Sequence, residues 1–470
     1  MAKVQPEAAE KELTHSPCWC RVTTCFYCPC ICMKACCPGK LEPLKKHYME
    51  PEAGASSRAQ TGASDAEVFI PATDEGKILF VGRHSVKGTA KEFDQICTAF
   101  RFEVTGPCKA VWMEMSGRLF AHREKLAQCK TNEFGINCPG MMKSYVNGRP
   151  VKRMVIADGD TSGGAPRQYL LAEDLPAGQH TIHVSKCSEF FFGALTLHGI
   201  VVSEGCEVNA PQAKKVVEII SDSNSAMPGN VGPNTYDFTA SKKLMMKWTD
   251  TDLAWFGHLN TAFDVDTVMV GASGMGFAAN AEEVGHGPMI DIYCRVCQNE
   301  EAEYKEGDAM NPVDLCIIYL GMNDWGLGFG GMAGKDQEAI AGYKKLIDLV
   351  RARRGPSVPI LCLYPDATTV GGAPNLTTWS RMIQKGFHVH VKRWVTGAVA
   401  LTGGEDAKIF ARQVNPTRQI SAAGDDDFGM ECHLNVDGGQ KFSTGVIPLV
   451  RDIMGWPVVG ADSVPAPLKM

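Results

Sequence analysis

Hydrophobic and polar positions change their spacing twice along this chain. Between about residues 77 and 211 the apolar runs are short and partly alternating, as in "KILFVGRHSV", "SYVNGRPVKRMVIAD", "HTIHVSK" and "FFFGALTLHGIVVS". They are rich in Val, Ile, Phe and Tyr and punctuated by Gly, Pro and Asn, the pattern of half-buried strands joined by tight turns. The Asn-Gly pair in "VNGRP" predicts a hairpin, because both residues tolerate positive φ. Many short strands in one stretch predict a β-sandwich of jelly-roll type.

After about residue 212 the strands become continuous apolar runs: "KKVVEII", "DTVMVGAS", "VDLCIIYLG" and "VPILCLYP". Runs of this kind belong to a parallel sheet covered on both faces. Between them, "DQEAIAGYKKLIDLVRARRG" carries Ile340, Tyr343, Leu346, Ile347 and Val350 at helical spacing, with Gly355 at the C-cap position. "GGQKFSTGVIPLVRDIMGW" reads as the last helix. Strands alternating with helices predict an α/β/α sandwich. The expected organisation is an irregular Cys-rich tail and linker (1–75), a β-sandwich (76–211), an α/β domain (212–456) and a short C-terminal tail (457–470).

Composition narrows the class. The 470 residues are 44% hydrophobic and 21% charged, with a formal net charge of -6. That balance argues against a general nucleic-acid binder. No run of 18 apolar residues occurs, and the opening "MAKVQPEAAEKELTH" has no apolar signal segment, so an intracellular location is expected. Of 19 cysteines, eight crowd the N-terminus: Cys18, Cys20, Cys25, Cys28, Cys30, Cys32, Cys36 and Cys37. Three readings stay open for them. Trp19, Phe26, Tyr27 and Ile31 interleave with the thiols beside Arg21 and Lys34, a composition suited to S-acylation and attachment to a membrane surface. Zinc is a second reading, although the spacing fits no regular finger. Disulfides are the third, and need an oxidising compartment that nothing else in the sequence supports; otherwise the thiols are unmodified. Residues 1–75 are also the place for a protein partner.

In a parallel α/β sheet, ligands gather beyond the carboxyl ends of the strands. Four polar segments lie there: Ser221-Asp222-Ser223-Asn224-Ser225, Gly271-Ala272-Ser273-Gly274-Met275-Gly276, Gly321-Met322-Asn323-Asp324-Trp325, and "DDDFGMECHLNVDGG" with His433. Acyl transfer requires a nucleophile, a base and donors for a developing oxyanion. Ser223 supplies the first and His433 the second. The N–H groups of Ser223 and Gly274 and the Asn323 amide supply the donors. Each also has a plainer reading: Ser223 as a helix N-cap, Gly274 and Asn323 as turn residues, His433 as a surface histidine.

In order, "SDSNS", "GASGMG", "LGMND" and "ECHLNVDGGQKFS" resemble the four blocks of the SGNH (GDSL-type) hydrolase superfamily. The strand-rich half, and "GHGPMIDIYCR" after the glycine block, are similar to carbohydrate esterase family two, where a jelly roll precedes the SGNH domain. The resemblance spans about residues 77–456. It implies a serine esterase acting on acylated carbohydrate or a small ester, with no cofactor. Asp222, Asp324 and Trp325 are assigned to the substrate side of the same edge. Three positions depart from the pattern: Ser221 stands where glycine is usual, Met430 where an Asp orients the histidine, and Leu434 where Pro often follows it. Esterases resembling this family also work as a Ser–His dyad, a backbone carbonyl two residues before the histidine replacing the Asp; Glu431 holds that position. The alternative is a silent esterase fold with a structural or interaction role, tethered through the Cys-rich segment.

Overall fold

The expected hairpin at "VNGRP" is present: Asn147 and Gly148 have φ of 51° and 76° between two antiparallel strands, as a type I′ turn requires. The computed structural model describes residues 57–59, 67–119, 139–156, 165–232, 247–281, 287–298, 312–325, 331–365, 386–415, 427–429 and 433–459. All belong to one unit, Met49–Lys469.

The first half is an antiparallel sheet folded over its own core. Its strands are β1 (Ser57–Ala59), β2 (Glu67–Pro71), β3 (Leu79–Val81), β4 (Ser85–Lys87), β5 (Ala90–Phe93), β6 (Ala99–Leu119), β7 (Gly140–Val146), β8 (Arg149–Ile156), β9 (Arg167–Lys186), β10 (Gly193–Ser203) and β11 (Glu207–Asn209). The main path runs β4-β5-β10-β6-β9-β7-β8. Alternate side chains of the long strands, among them Phe100, Phe102, Val104, Ile182 and Val184, meet in one fully buried cluster. The sandwich begins earlier than the expected boundary at 76. β1 pairs with β9, and β2 pairs with β10 along Glu67–Pro71. β1 lies within the stretch read as linker. Its Ser-Arg-Ala sequence has no apolar alternation to mark it, and backbone pairing to an existing edge supplies the strand.

The second half is a five-stranded parallel sheet, ordered β13-β12-β14-β15-β16, with β12 (Lys215–Asp222), β13 (Val265–Ala272), β14 (Leu315–Tyr319), β15 (Ile360–Tyr364) and β16 (Ile409–Gln413). Helices are α1 (Ser223–Ala226), α2 (Gly257–Phe263), α3 (Met289–Ile292), α4 (Met322–Trp325), α5 (Asp336–Arg354), α6 (Phe387–Leu401) and α7 (Val436–Met454). β12 is buried on both faces. Val216 and Ile220 join the cluster with α5 and α6, and Val217 and Ile219 join the one with α2 and α7. The result is the expected three-layer sandwich. β16 was not foreseen: it is a partly exposed edge strand after "EDAK", without a continuous apolar run. Among the described residues, no helix is long and apolar enough to cross a membrane.

Polar contacts join the halves. Lys143 Nζ of β7 lies 2.8 Å from Asp250 Oδ2, and Tyr145 and Ser185 hydroxyls donate to Asp252 at 2.7 and 2.6 Å. Glu218, in the middle of apolar β12, is 0% exposed. It accepts from Arg83 at 3.0 Å, from the Tyr293 hydroxyl at 2.9 Å and from Arg354. Burial works to raise the Glu218 pKa, but Arg354 and Arg83 outweigh it and hold the carboxyl down at about 2, below its ordinary 4.5. A depressed folded-state pKa stabilises the fold above the unfolded value, by about 3 kcal/mol here, and that share is lost as pH falls from about 5 to 2. Urea unfolding should therefore show a wild-type advantage over Glu218→Gln that is present at pH 7 and shrinks on acidification. An advantage constant across that window would refute the assignment.

Candidate active site

Three neighbouring strands bring the first three polar segments together. β12 lies between β13 and β14, with Ser221 level with Gly271 on one side and Tyr319 on the other. The chain therefore leaves all three strands at one height. β12 is also the point where strand order reverses, the usual place for a crevice in such sheets.

Asp222 ends β12 and caps α1: its Oδ1 accepts from Asn224 N at 2.9 Å and from Asn224 Nδ2 at 2.6 Å. Ser223 follows as the first helical residue, 9% exposed. The one-turn helix closes at Met227, with φ of 46°. The neighbouring serines have other tasks. Ser221 Oγ donates to Tyr319 O at 2.7 Å and receives the Ser225 hydroxyl at 2.7 Å, while Ser225 accepts from Trp255 Nε1 at 3.1 Å. Ser221 thus fits where glycine is usual, because its hydroxyl ties β12 to β14.

The glycine segment turns from Ala272 to Met275, closed by Met275 N donating to Ala272 O at 3.3 Å. Gly274 has φ of 78°, the value a type II turn requires at its third residue. Among the described residues no partner takes the Gly274 N–H; its carbonyl accepts from Ala281 N at 2.8 Å. Asn323, in α4, spans two segments: its Nδ2 donates to Asp222 Oδ2 at 3.1 Å and to Met275 O at 2.9 Å.

The substrate-side expectation for Asp222 and Asp324 is revised, since both are 0% exposed. Asp324 accepts three backbone N–H groups, from Phe277, Ala278 and Ala279, at 2.8, 2.7 and 2.9 Å. It holds the exit of the glycine segment rather than facing solvent. Burial pushes both carboxyls up to about 7, against the pull of their N–H donors. Trp325 is 7% exposed and packs in the core, its ring 6.3 Å from Phe387. These aspartates look like ligand groups in sequence because acidic residues after a strand serve substrate and backbone equally well.

His433 is half-buried in the loop before α7. Its carbonyl accepts from Gly429 N at 2.8 Å, and Phe428 bridges Leu434. Asn435 caps α7 by accepting from Gly438 N at 2.9 Å. This loop packs on the chain leaving Ser223. A Cβ on Gly429 would lie 2.6 Å from Gly229 O, and one on Gly439 would lie 2.7 Å from Met227 Cε. Among the described residues, no hydrogen bond joins the Ser223 hydroxyl to the His433 ring. Such a pair is commonly long in a free enzyme and tightens with substrate. Glu431 and the eight N-terminal cysteines lie outside the described residues. No group of three His, Cys, Asp or Glu suited to a metal occurs among the described residues.

One residue escaped the sequence reading. Glu189, at the corner between β9 and β10, accepts Ser273 N at 2.5 Å and Ser273 Oγ at 2.9 Å. Nothing in "KCSEFFFG" marks it except an acidic residue before an aromatic run.

No family model and no curated protein sequence matches the chain. Solved structures do. A family two carbohydrate esterase from Clostridium thermocellum, in complex with cellohexaose, aligns with a TM-score of 0.61 at 17% identity, over 81% of this chain and 99% of its own. An acetyl xylan esterase from the rumen bacterium Butyrivibrio proteoclasticus aligns at 0.62 and 14%, over 83% and 100%. A salicylyl-acyltransferase from a tetracycline biosynthetic pathway aligns at 0.54 and 13%, over 84% and 100%. The chain has the two-domain fold of these proteins, a jelly-roll sandwich before an SGNH-type α/β sandwich.

Proposed function

We propose that this protein is a serine esterase that removes acetyl, or other short acyl, groups from carbohydrate hydroxyls. The observation that carries the reading is the convergence of Ser223, Gly274 and Asn323 at the carboxyl edge of three adjacent parallel strands, with the His433 loop packed against the same turn. The neighbours named for carbohydrate esterase and acetyl xylan esterase activity support the substrate class.

In this mechanism Ser223 Oγ attacks the acyl carbonyl carbon while the His433 imidazole takes its proton. The carbonyl oxygen becomes an oxyanion, held by the N–H groups of Ser223 and Gly274 and by Asn323. Asn323 joins by releasing its longer bond, the one to Asp222. The C–O bond to the sugar then breaks, and the imidazolium gives its proton to the departing sugar oxygen, which leaves as the free hydroxyl. Water, activated by His433, releases the acid and restores Ser223. The orienting role of the missing carboxylate is assigned, from sequence position, to the backbone carbonyl of Glu431, which lies outside the described residues. Asp222 and Asp324 keep the donor-bearing turns in place rather than touching substrate.

The test is covalent labelling of the purified full-length protein with a fluorophosphonate probe, together with acetate release from acetylated xylo-oligosaccharides. Labelling at Ser223, absent in Ser223→Ala, with Ser223-dependent acetate release supports the reading. No labelling and no acetate release would favour a silent fold used for interaction.

A further inference from the structure

Among its contacts with the α/β domain, the β-sandwich places one corner beside the glycine segment. That corner carries a buried carboxylate, Glu189, which is 1% exposed. Its two oxygens clamp one residue, the backbone N–H of Ser273 at 2.5 Å and the Ser273 hydroxyl at 2.9 Å. A carboxylate out of water is retained only where donors replace its hydration, and Ser273 supplies two. The corner itself is held from both ends. Lys186, 0% exposed, donates Nζ to Ser188 O at 2.6 Å and to Glu189 O at 3.1 Å. Next along the chain, Phe190 is 0% exposed and belongs to the same core cluster as Ala272 and Met275.

Ser273 immediately precedes Gly274. The Gly274 N–H lies in the peptide plane formed with the Ser273 carbonyl, so the conformation of Ser273 decides where that N–H points. Gripping Ser273 through both its N–H and its side chain fixes its φ and χ1, and the Ala272–Met275 turn fixes the rest. We propose that Glu189 is a positioning residue for the oxyanion site: from the sandwich domain it holds the Ser273–Gly274 peptide so that the Gly274 N–H is aimed before substrate arrives. This inference rests on the serine-esterase reading. Oxyanion donors accelerate acyl transfer because they are already oriented when charge develops, so a donor left free to rotate loses most of its effect on kcat and little of any effect on binding. On this account the sandwich completes the active site.

The experiment compares full-length wild type, Glu189→Ala, Glu189→Gln and Ser223→Ala, with p-nitrophenyl acetate as substrate. Glu189→Ala should lower kcat about 100-fold, as loss of one oxyanion donor does, with KM changed by less than about threefold. Glu189→Gln keeps an acceptor for one of the two donors and should lose about tenfold in kcat. Hydrogen–deuterium exchange should rise in the peptide containing Ser273 and Gly274 while that of β12 stays unchanged. Unchanged kcat in both Glu189 variants, with hydrolysis still dependent on Ser223, overturns this inference alone. A rise in KM at constant kcat overturns it as well. Wild-type and Ser223→Ala rates that are equal overturn the esterase reading and this inference with it. Should Glu189→Ala not fold, the near-isosteric Glu189→Gln decides by the same criteria.

Discussion

Ser223→Ala should reduce kcat/KM for acetyl esters by about 10⁴- to 10⁶-fold and leave thermal unfolding within about 1 kcal/mol of wild type. The size follows from what the hydroxyl does. Ser223 makes the covalent bond to the acyl group, so without it only the oxyanion donors and substrate positioning remain, and neither forms an acyl-enzyme. The small stability cost follows from its surroundings. Ser223 is 9% exposed, and the helix cap is supplied by Asp222 through Asn224 N at 2.9 Å, not by Ser223. Ser221 and Ser225 provide the contrast. Their hydroxyls are bonded to each other and to Tyr319 O and Trp255 Nε1. Alanine at either should cost stability before it costs chemistry. Initial rates with p-nitrophenyl acetate, beside calorimetry, separate the two effects. A Ser223→Ala protein as active as wild type would remove the nucleophile assignment.

Gly271→Ala should destabilise the α/β domain by more than about 4 kcal/mol, beyond the range of most single substitutions. Gly271 has φ of 145°, which side-chain-bearing residues rarely adopt, and a Cβ there would lie 1.7 Å from Ser221 O. The obstacle is backbone of the adjacent strand. Relief therefore requires parting β12 from β13 at the register pair Ser221 and Gly271, directly below Ser223. Gly148→Ala is the control. Its φ is 76° in the hairpin turn, but nothing lies within 4 Å of the added methyl. It should cost only the conformational strain, about 1 kcal/mol. Urea unfolding of the two variants should differ by at least the gap between these figures. Equal losses would mean that β12 and β13 tolerate separation at this point.

The chain displays its local structure openly. The Asn-Gly pair at 147–148 forms its hairpin, and the apolar spacing in 336–354 forms a 19-residue helix with Gly355 behind it at φ of 86°. β12 to β15 are the four continuous apolar runs. Each of these depends on neighbours in sequence, so a linear reading finds them. β1 and β16 depend instead on an edge supplied from far away, β9 for one and β15 for the other. Their own residues carry little of the instruction.

The same division runs through the site. Sequence by itself determined the fold class and the order of the four polar segments, because hydrophobic periodicity and turn chemistry are local properties. It also nominated Ser223, Gly274, Asn323 and His433. Only the tertiary structure decided what the neighbouring polar groups do. Asp222 and Asp324 differ from substrate-facing carboxylates by burial and by the N–H groups they meet, from residues 45 to 101 positions away in the case of Asp324 with Ala279 and Asp222 with Asn323. Glu189 reaches Ser273 across 84 positions and between two domains. Burial and long-range hydrogen bonding are properties of the packed chain, and the same acidic residue reads alike in sequence whether it will meet water, substrate or a backbone turn.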